Sequence, residues 1–191
     1  MRDILFRIGI WWWRPSVGAK EAIMYHPRWS EIVWLIVMNM VAMGIMTLLA
    51  IGGSFRSLVE TLGGIVLFSL SFVVWWVVVF AVMMMLLVAG FRRVVVPERL
   101  LFLLGVSHLS WVFLLPVALV GVWIGTGFVT FVSFVAGLLS FLWLVEVFRK
   151  EYALSFAKTL VIVVFPAFII FLQGIFWALR TLVTLVLMGS L

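Results

Sequence analysis

The sequence contains no cysteine, and this absence excludes several kinds of chemistry. A chain without thiols cannot form disulfides, bind zinc through thiolates or use a cysteine nucleophile. Histidine occurs at two positions, His26 and His108, and aspartate at one, Asp3. Metal centres gather several such ligands in one place, and the short motifs of hydrolases and nucleotide-binding loops are also absent. We therefore predict a protein with no catalytic residue, no metal site and no cofactor.

Charged side chains are scarce as well. Of the 191 residues, 10% are charged and 67% are hydrophobic, and the mean hydropathy is +1.37. A soluble domain has about 25% charged residues. The run from Thr61 to Phe91 contains no charge over 31 residues, whereas about 20 apolar residues are enough to cross a hydrocarbon core. The composition predicts an all-α membrane protein, and we expect this second crossing to be surrounded by lipid and other apolar helices rather than by water on one side.

Short charged loops separate the uncharged runs and predict a single domain, residues 32–191, that is a bundle of five transmembrane helices. The predicted crossings are about 32–51, 62–90, 100–123, 128–147 and 159–179. The uncharged stretch 100–145 is too long for one crossing, and a turn containing Gly121, Gly125, Thr126 and Gly127 is expected to divide it. Pro116 and Pro166 predict kinks in the third and fifth crossings. The tail 181–191 either extends the fifth helix or lies on the membrane surface.

Residues 1–31 are predicted to form an amphipathic segment that lies in the membrane interface on the cytoplasmic side. Asp3, Arg7 and Arg14 fall on one side of a helix, and apolar residues cover the remainder. Tryptophan favours the boundary between headgroups and acyl chains. The candidate headgroup contacts are Arg7, Arg14, Trp11, Trp12 and Trp13. The predicted partners are therefore anionic lipid headgroups, with other membrane proteins or a second copy as alternatives, and no nucleic acid.

The distribution of basic residues predicts the orientation of the bundle. With five crossings, eleven lysines and arginines fall on one side and two, Arg56 and Arg180, on the other. Short cytoplasmic loops carry the excess of such residues in membrane proteins. The sequence thus predicts a multi-pass protein with a cytoplasmic N-terminus and an external C-terminus.

A small set of polar residues lies at similar depths inside three predicted crossings. The candidate intramembrane cluster consists of Asn39, Ser107, His108 and Ser140, about 12 Å below the cytoplasmic boundary at 1.5 Å per residue. Polar side chains in a membrane usually face protein and find partners there. Two interpretations stay open: a hydrogen-bond cluster that fixes helix packing, or a proton-responsive or ligand-binding site centred on His108.

Two expectations concern how the bundle is held together. The acids near the membrane surface each have a basic neighbour, so we predict the ion pairs Glu31 with Arg28, Glu98 with Arg99, and Glu146 with the basic pair that follows it. Closely spaced pairs of glycines are not clear within the crossings, which predicts packing through large side chains.

Several short motifs resemble the Yip1 family of integral membrane proteins. They are Arg14-Pro15, His26-Pro27-Arg28-Trp29, Leu104-Gly105-Val106-Ser107 leading to Leu115-Pro116, Trp143 with Phe148-Arg149-Lys150-Glu151-Tyr152, and Ser155-Phe156-Ala157-Lys158. The resemblance covers residues 10–179 and departs from the family at His108 and in lacking a tyrosine after Gly105. It implies five crossings, a cytoplasmic N-terminus and an external C-terminus.

Eukaryotic members of that family are trafficking factors that engage small GTPases through a longer N-terminal region. The segment before the first crossing of this chain has only about 31 residues, so that property is not carried over, and we expect a prokaryotic cytoplasmic membrane. We expect a non-catalytic protein of Yip1-like type that organises membrane lipids or partner proteins. The alternative is a small transporter or channel-like bundle with its site around His108.

Overall fold

The computed structural model describes residues 22–50, 58–166 and 168–169, and this part of the chain is built from helices joined by short loops. The helices are α1 (Trp29–Ala50), α2 (Leu58–Met85), α3 (Pro97–Ser107), α4 (Leu109–Gly121), α5 (Thr126–Glu151) and α6 (Phe156–Pro166). A π-helical turn, Leu86–Gly90, continues α2. No strand occurs among these residues, so the all-α prediction is confirmed.

Four helical segments are long and apolar enough to cross a membrane: Trp29–Ala50, Val59–Gly90, Pro97–Gly121 and Thr126–Glu151. Their bounds lie within a few residues of the first four predicted crossings. The predicted fifth crossing, 159–179, begins inside α6, and most of it lies outside the described residues, as does the tail 181–191.

Among the described helices the first crossing, and not the second, is the central one. Helix α1 packs against α2, α3, α4 and α5. In its most apolar stretch 56% of the residues are buried, compared with 22% in the second crossing. Lipid tails are as apolar as leucine, so hydrophobicity on all sides does not distinguish burial in protein from exposure to lipid, and it could not show which crossing is the more buried.

Small and polar residues mark the central helix instead. Gly44 of α1 lies so close to α2 that an added Cβ would come 3.1 Å from both the Ile65 carbonyl oxygen and the Ser69 nitrogen. The two backbones approach each other because glycine has no side chain. The prediction that the bundle packs through large side chains therefore fails at this contact.

The third crossing is interrupted at His108, eight residues before Pro116. Helix α3 ends at Ser107, and His108 has φ −88° and ψ 0° before α4 begins. The carbonyl oxygen of Leu104 accepts from Ser107 Oγ at 2.8 Å, from His108 Nδ1 at 2.8 Å and from the His108 N–H at 3.3 Å. Side chains that bond to the preceding turn compete with the regular helical pattern. The interruption thus comes from the Ser-His pair, while Pro116 is contained within α4.

A tight turn joins α4 to α5 where the glycines predicted one. Gly125 has φ +130°, a conformation that other residues rarely adopt. The turn is apolar, and Trp123 at its tip is 92% exposed. Thr126 and Gly127 begin α5 rather than belonging to the turn.

Candidate functional site

Asn39 lies in the middle of α1 and is fully buried. Its Nδ2 donates to the carbonyl oxygen of Leu35 at 2.9 Å and to that of Gly105 in α3 at 2.8 Å. Gly105 belongs to the last turn of α3, where carbonyl groups have no partner within their own helix. An unsatisfied carbonyl in hydrocarbon costs several kcal/mol. Asn39 therefore caps the interrupted third crossing from a neighbouring helix.

Ser140 of α5 forms its contact with Ser110 of α4. The Ser110 hydroxyl donates to the carbonyl oxygen of Ala136 at 2.8 Å, so the short hydrogen bond between the two hydroxyls is donated by Ser140. Both side chains are buried. This pair fixes the register of α4 against α5 and uses the hydrogen-bonding capacity of the serines internally.

His108 has a defined tautomer and an aromatic neighbour. Its Nδ1 lies 2.8 Å from the carbonyl oxygen of Leu104, which can only accept, so Nδ1 carries the proton and Nε2 of the neutral ring is an acceptor. The ring packs against Trp76 of α2, with a centroid separation of 5.1 Å and an interplanar angle of 54°. Ser107 Oγ is 3.2 Å from His108 Nδ1.

The predicted polar cluster is thus divided into three local hydrogen-bond groups. Within the described residues no hydrogen bond joins Asn39 or Ser140 to His108. Two buried polar atoms in this part of the bundle, Asn39 Oδ1 and Trp76 Nε1, have no hydrogen-bond partner among the residues that the structure describes. No carboxylate takes part in these bonds, and the described part of the chain brings no three histidine, aspartate or glutamate side chains together.

A second set of polar contacts lies at one end of the bundle, where three separate segments meet at Arg99. Its guanidinium forms an ion pair with Glu151 at the end of α5, with Nε and Oε1 3.1 Å apart. It also donates a short hydrogen bond to the carbonyl oxygen of Tyr25, which precedes α1. The beginnings of α1 and α3 and the end of α5 are thereby joined. We call this end of the molecule the basic face, since its described residues include Arg28, Arg92, Arg93, Arg99, Arg149, Lys150 and Lys158.

Three acids of the basic face form contacts within the protein, though not all as predicted, and Glu98 forms no ion pair within the described residues. Glu146 pairs with Lys150 at 2.7 Å, as expected. Glu31 accepts from the Tyr25 hydroxyl and from the backbone N–H of Arg28, both at 3.0 Å, rather than from the Arg28 guanidinium. The predicted pair of Glu98 with Arg99 is replaced by the pair with Glu151, because adjacent residues of a helix point in different directions.

Several cations of the basic face have no acidic partner within the described residues. Arg28, Arg92, Arg93 and Lys158 are exposed and form no ion pair there. Arg93 Nη2 donates to the carbonyl oxygen of Ala153 at 3.2 Å, which connects the loop after α2 to the loop before α6. Since the cations of the basic face outnumber its acids, Glu31 and Glu98 included, the face presents net positive charge on loops that are held in place.

Tyr152 ends α5 beside Glu151 and is buried, and its hydroxyl has no partner among the described residues. Burial raises the pKa of this phenol well above its ordinary value, and the neighbouring negative charge of Glu151 raises it further, while Arg99 opposes both effects. The neutral phenol is the form that this packing favours.

The candidate headgroup contacts Arg7, Arg14, Trp11, Trp12 and Trp13 lie outside the described residues. Sequence analysis missed the roles of Arg99 and Trp76. Nothing in a charge-free helix distinguishes Trp76 from Trp75. For Arg99, Glu98 is nearer in sequence than Glu151, the acid that it binds.

The chain matches no protein-family model, no curated protein and no solved structure. Function must therefore be inferred from the residues of the chain itself, and the resemblance to the Yip1 family stays a prediction.

Proposed function

We propose that this chain is a non-catalytic, Yip1-like integral membrane protein with five crossings that organises anionic lipids at its basic face. The observation that carries the proposal is the charge balance there. Glu146 and Glu151 are paired with lysine and arginine side chains, and the remaining acids, Glu31 and Glu98, are outnumbered by exposed arginines and a lysine that have no acidic partner in the described part of the chain. Anionic headgroups are the natural counterions for cations that flank membrane crossings.

The intramembrane polar groups support a structural rather than a catalytic role. Asn39 and Ser110 donate to backbone carbonyls, and Ser140 donates to Ser110. These bonds stabilise the interrupted third crossing and the packing of α4 on α5. A non-catalytic protein needs no further chemistry from them.

The orientation belongs to the same proposal, with the basic face and the N-terminus cytoplasmic and the C-terminus external. Cysteine substitution tests it cleanly because the chain has no cysteine of its own. Cysteines replacing Arg92 and Arg149 should be protected from an impermeant thiol reagent in intact cells, whereas one replacing Trp123, at the opposite end of α5, should be labelled. The reverse pattern would contradict the orientation.

Lipid retention tests the function. The full chain, purified gently from membranes, should carry a higher fraction of anionic lipid than the membrane itself. Replacing Arg7 and Arg14 by glutamate should weaken this binding by roughly 25-fold or more, because each lost cation costs about fivefold and each added carboxylate repels the headgroups. The matched control is Arg56→Glu with Arg180→Glu, which makes the same charge change on the side predicted to be external. Equal lipid composition of protein and membrane would refute the proposal.

A transporter is the second candidate, and the interruption at His108 favours it. Discontinuous helices carry the substrate sites of many transporters, and two buried atoms near this interruption, Asn39 Oδ1 and Trp76 Nε1, have no partner among the described residues. Proton flux into liposomes containing the chain, measured with an enclosed pH-sensitive dye, should then depend on His108. Flux equal to that of protein-free liposomes would exclude a proton path.

A further inference from the structure

Arg92 adopts a backbone conformation that arginine rarely accepts. Its φ is +51°, directly after the π-helical turn that ends the second crossing. The helix is closed there by hydrogen bonds from the Phe91 N–H to the Leu86 oxygen and from the Arg93 N–H to the Leu87 oxygen, both 2.9 Å long. Glycine is the usual residue at the left-handed position of such a helix end because it has no Cβ to clash. An arginine there suggests that the side chain has a use.

The neighbouring residue, Arg93, connects the loop after α2 to the loop before α6, which also contains a left-handed residue. Arg93 Nη2 donates to the carbonyl oxygen of Ala153, which is itself left-handed with φ +47°. Lys158 follows in the first turns of α6, and its backbone N–H lies 3.5 Å from Ser155 Oγ. Two loops that each end a membrane crossing are therefore tied together, with Arg92, Arg93 and Lys158 on them.

None of the nearby acids, Glu98 included, forms an ion pair with these three cations within the described residues. Glu151 is paired with Arg99, and Glu146 lies 2.7 Å from Lys150 and 3.9 Å from Arg149. Each of the three cations is exposed, next to the end of a crossing, where phosphate groups of the bilayer lie. Arginine binds phosphate oxygens through two parallel N–H groups, and lysine adds a point charge.

We propose that Arg92, Arg93 and Lys158 form a binding site for the phosphate of an anionic phospholipid headgroup. This site rests on the proposed function and gives it a location distinct from the N-terminal segment. The ligand class is a phosphodiester with net negative charge. A glycine at position 92 would close the helix equally well, so the arginine is explained by its side chain and not by the backbone.

The backbone geometry provides a sharp test. Arg92→Gly removes the charge from a position that suits glycine, so the fold should be kept. Ala153→Gly likewise removes a Cβ from a left-handed residue, in the loop before α6, and changes no charge. Native mass spectrometry of the detergent-purified full chain, titrated with phosphatidylglycerol and separately with phosphatidylcholine, measures the affinity of each variant.

We expect Arg92→Gly to bind phosphatidylglycerol about fivefold more weakly, and Arg92→Gly with Lys158→Gln roughly 25-fold more weakly. Ala153→Gly should match the unaltered chain, and binding of phosphatidylcholine should not change. Thermal unfolding of Arg92→Gly, measured by circular dichroism, should occur no lower than that of the unaltered chain. Equal affinity of all these variants for phosphatidylglycerol would overturn the site.

Two further arms separate the outcomes. If Arg92→Gly binds phosphatidylglycerol normally while Arg7→Glu with Arg14→Glu does not, the site is refuted and the proposed function stands. If the unaltered chain does not prefer phosphatidylglycerol to phosphatidylcholine, both the site and the proposed function are refuted. Inorganic phosphate, added at an ionic strength matched with sodium chloride, distinguishes a lipid from a free anion. Displacement of phosphatidylglycerol by phosphate but not by chloride would assign the site to a soluble phosphate instead.

Discussion

Arg99 and Glu151, 52 residues apart in sequence, form an ion pair 3.1 Å long between the beginning of α3 and the end of α5. Their side chains are 14% and 17% exposed, so solvent screens the pair less than the other ion pairs of the basic face. The same guanidinium holds the segment before α1 through the Tyr25 carbonyl. One side chain thus fixes three segments at this end of the bundle.

Replacing Arg99 by glutamine should lower the free energy of unfolding by roughly 2 kcal/mol, because Glu151 and the Tyr25 carbonyl both lose a charged donor. Thermal unfolding in detergent, followed by circular dichroism, measures the loss. Glu146→Gln is the control, and since its pairs are more exposed it should cost less than about 1 kcal/mol. Arg99→Gln with Glu151→Gln should cost less than the sum of the single changes. Strict additivity would show that the two side chains are not coupled.

Asn39→Leu should destabilise the bundle by about 1 to 2 kcal/mol, since the Gly105 carbonyl then remains unsatisfied in an apolar environment. Ser140→Ala should have a smaller effect, because Ser110 keeps its bond to the Ala136 carbonyl. The fraction unfolded during titration with a denaturing detergent ranks the variants. A more stable Asn39→Leu protein would mean that the asparagine is kept for function rather than for stability.

Gly44→Ala should cost about 1 to 3 kcal/mol, because the new Cβ meets the backbone of α2. Gly63→Ala is a matched control within α2, since a Cβ at Gly63 meets no atom within 4 Å. Alanine is a better helix former than glycine, so Gly63→Ala should be neutral or slightly stabilising. The same unfolding assay compares both. Equal effects would indicate that α1 and α2 are farther apart than the structure places them.

Tyr152 should stay protonated at pH values where an exposed tyrosine ionises, because burial raises its pKa. The chain has two tyrosines, so Tyr25→Phe leaves Tyr152 as the only phenol for an absorbance titration. No tyrosinate should form in the folded protein near pH 10, the ordinary pKa. The unfolded chain ionises there and the folded one does not, so this contribution to stability is complete below pH 10 and decreases above it. Ionisation of the folded protein with a midpoint at pH 10 would contradict the burial of the phenol.

Much of the fold could be predicted from the sequence, because the spacing of charges alone separates crossings from loops. Counting along helices predicts similar depths for Asn39, Ser107, His108 and Ser140, and this stays a prediction. Their rotation about each helix could not be predicted, since an apolar helix in an apolar solvent gives no sign of which side faces protein. The partners of these residues therefore required the structure.

The same limit explains the two wrong expectations about packing and pairing. Among the described helices, the central one, α1, is marked by its single asparagine and its single glycine, and not by the hydrophobicity of its sequence. Arg99 was predicted to bind its neighbour in sequence, yet folding brings a more distant acid into better geometry.

The apolar turn between α4 and α5 has a consequence for how the protein enters the bilayer. From Leu100 to Val145 no side chain is charged, and the tip itself carries an exposed tryptophan. During biosynthesis this hairpin can be transferred from the insertion machinery into lipid as one unit, because nothing ionised has to be translocated to the far leaflet. An indole ring favours the membrane interface, so we expect Trp123 to hold the tip of the hairpin at that depth.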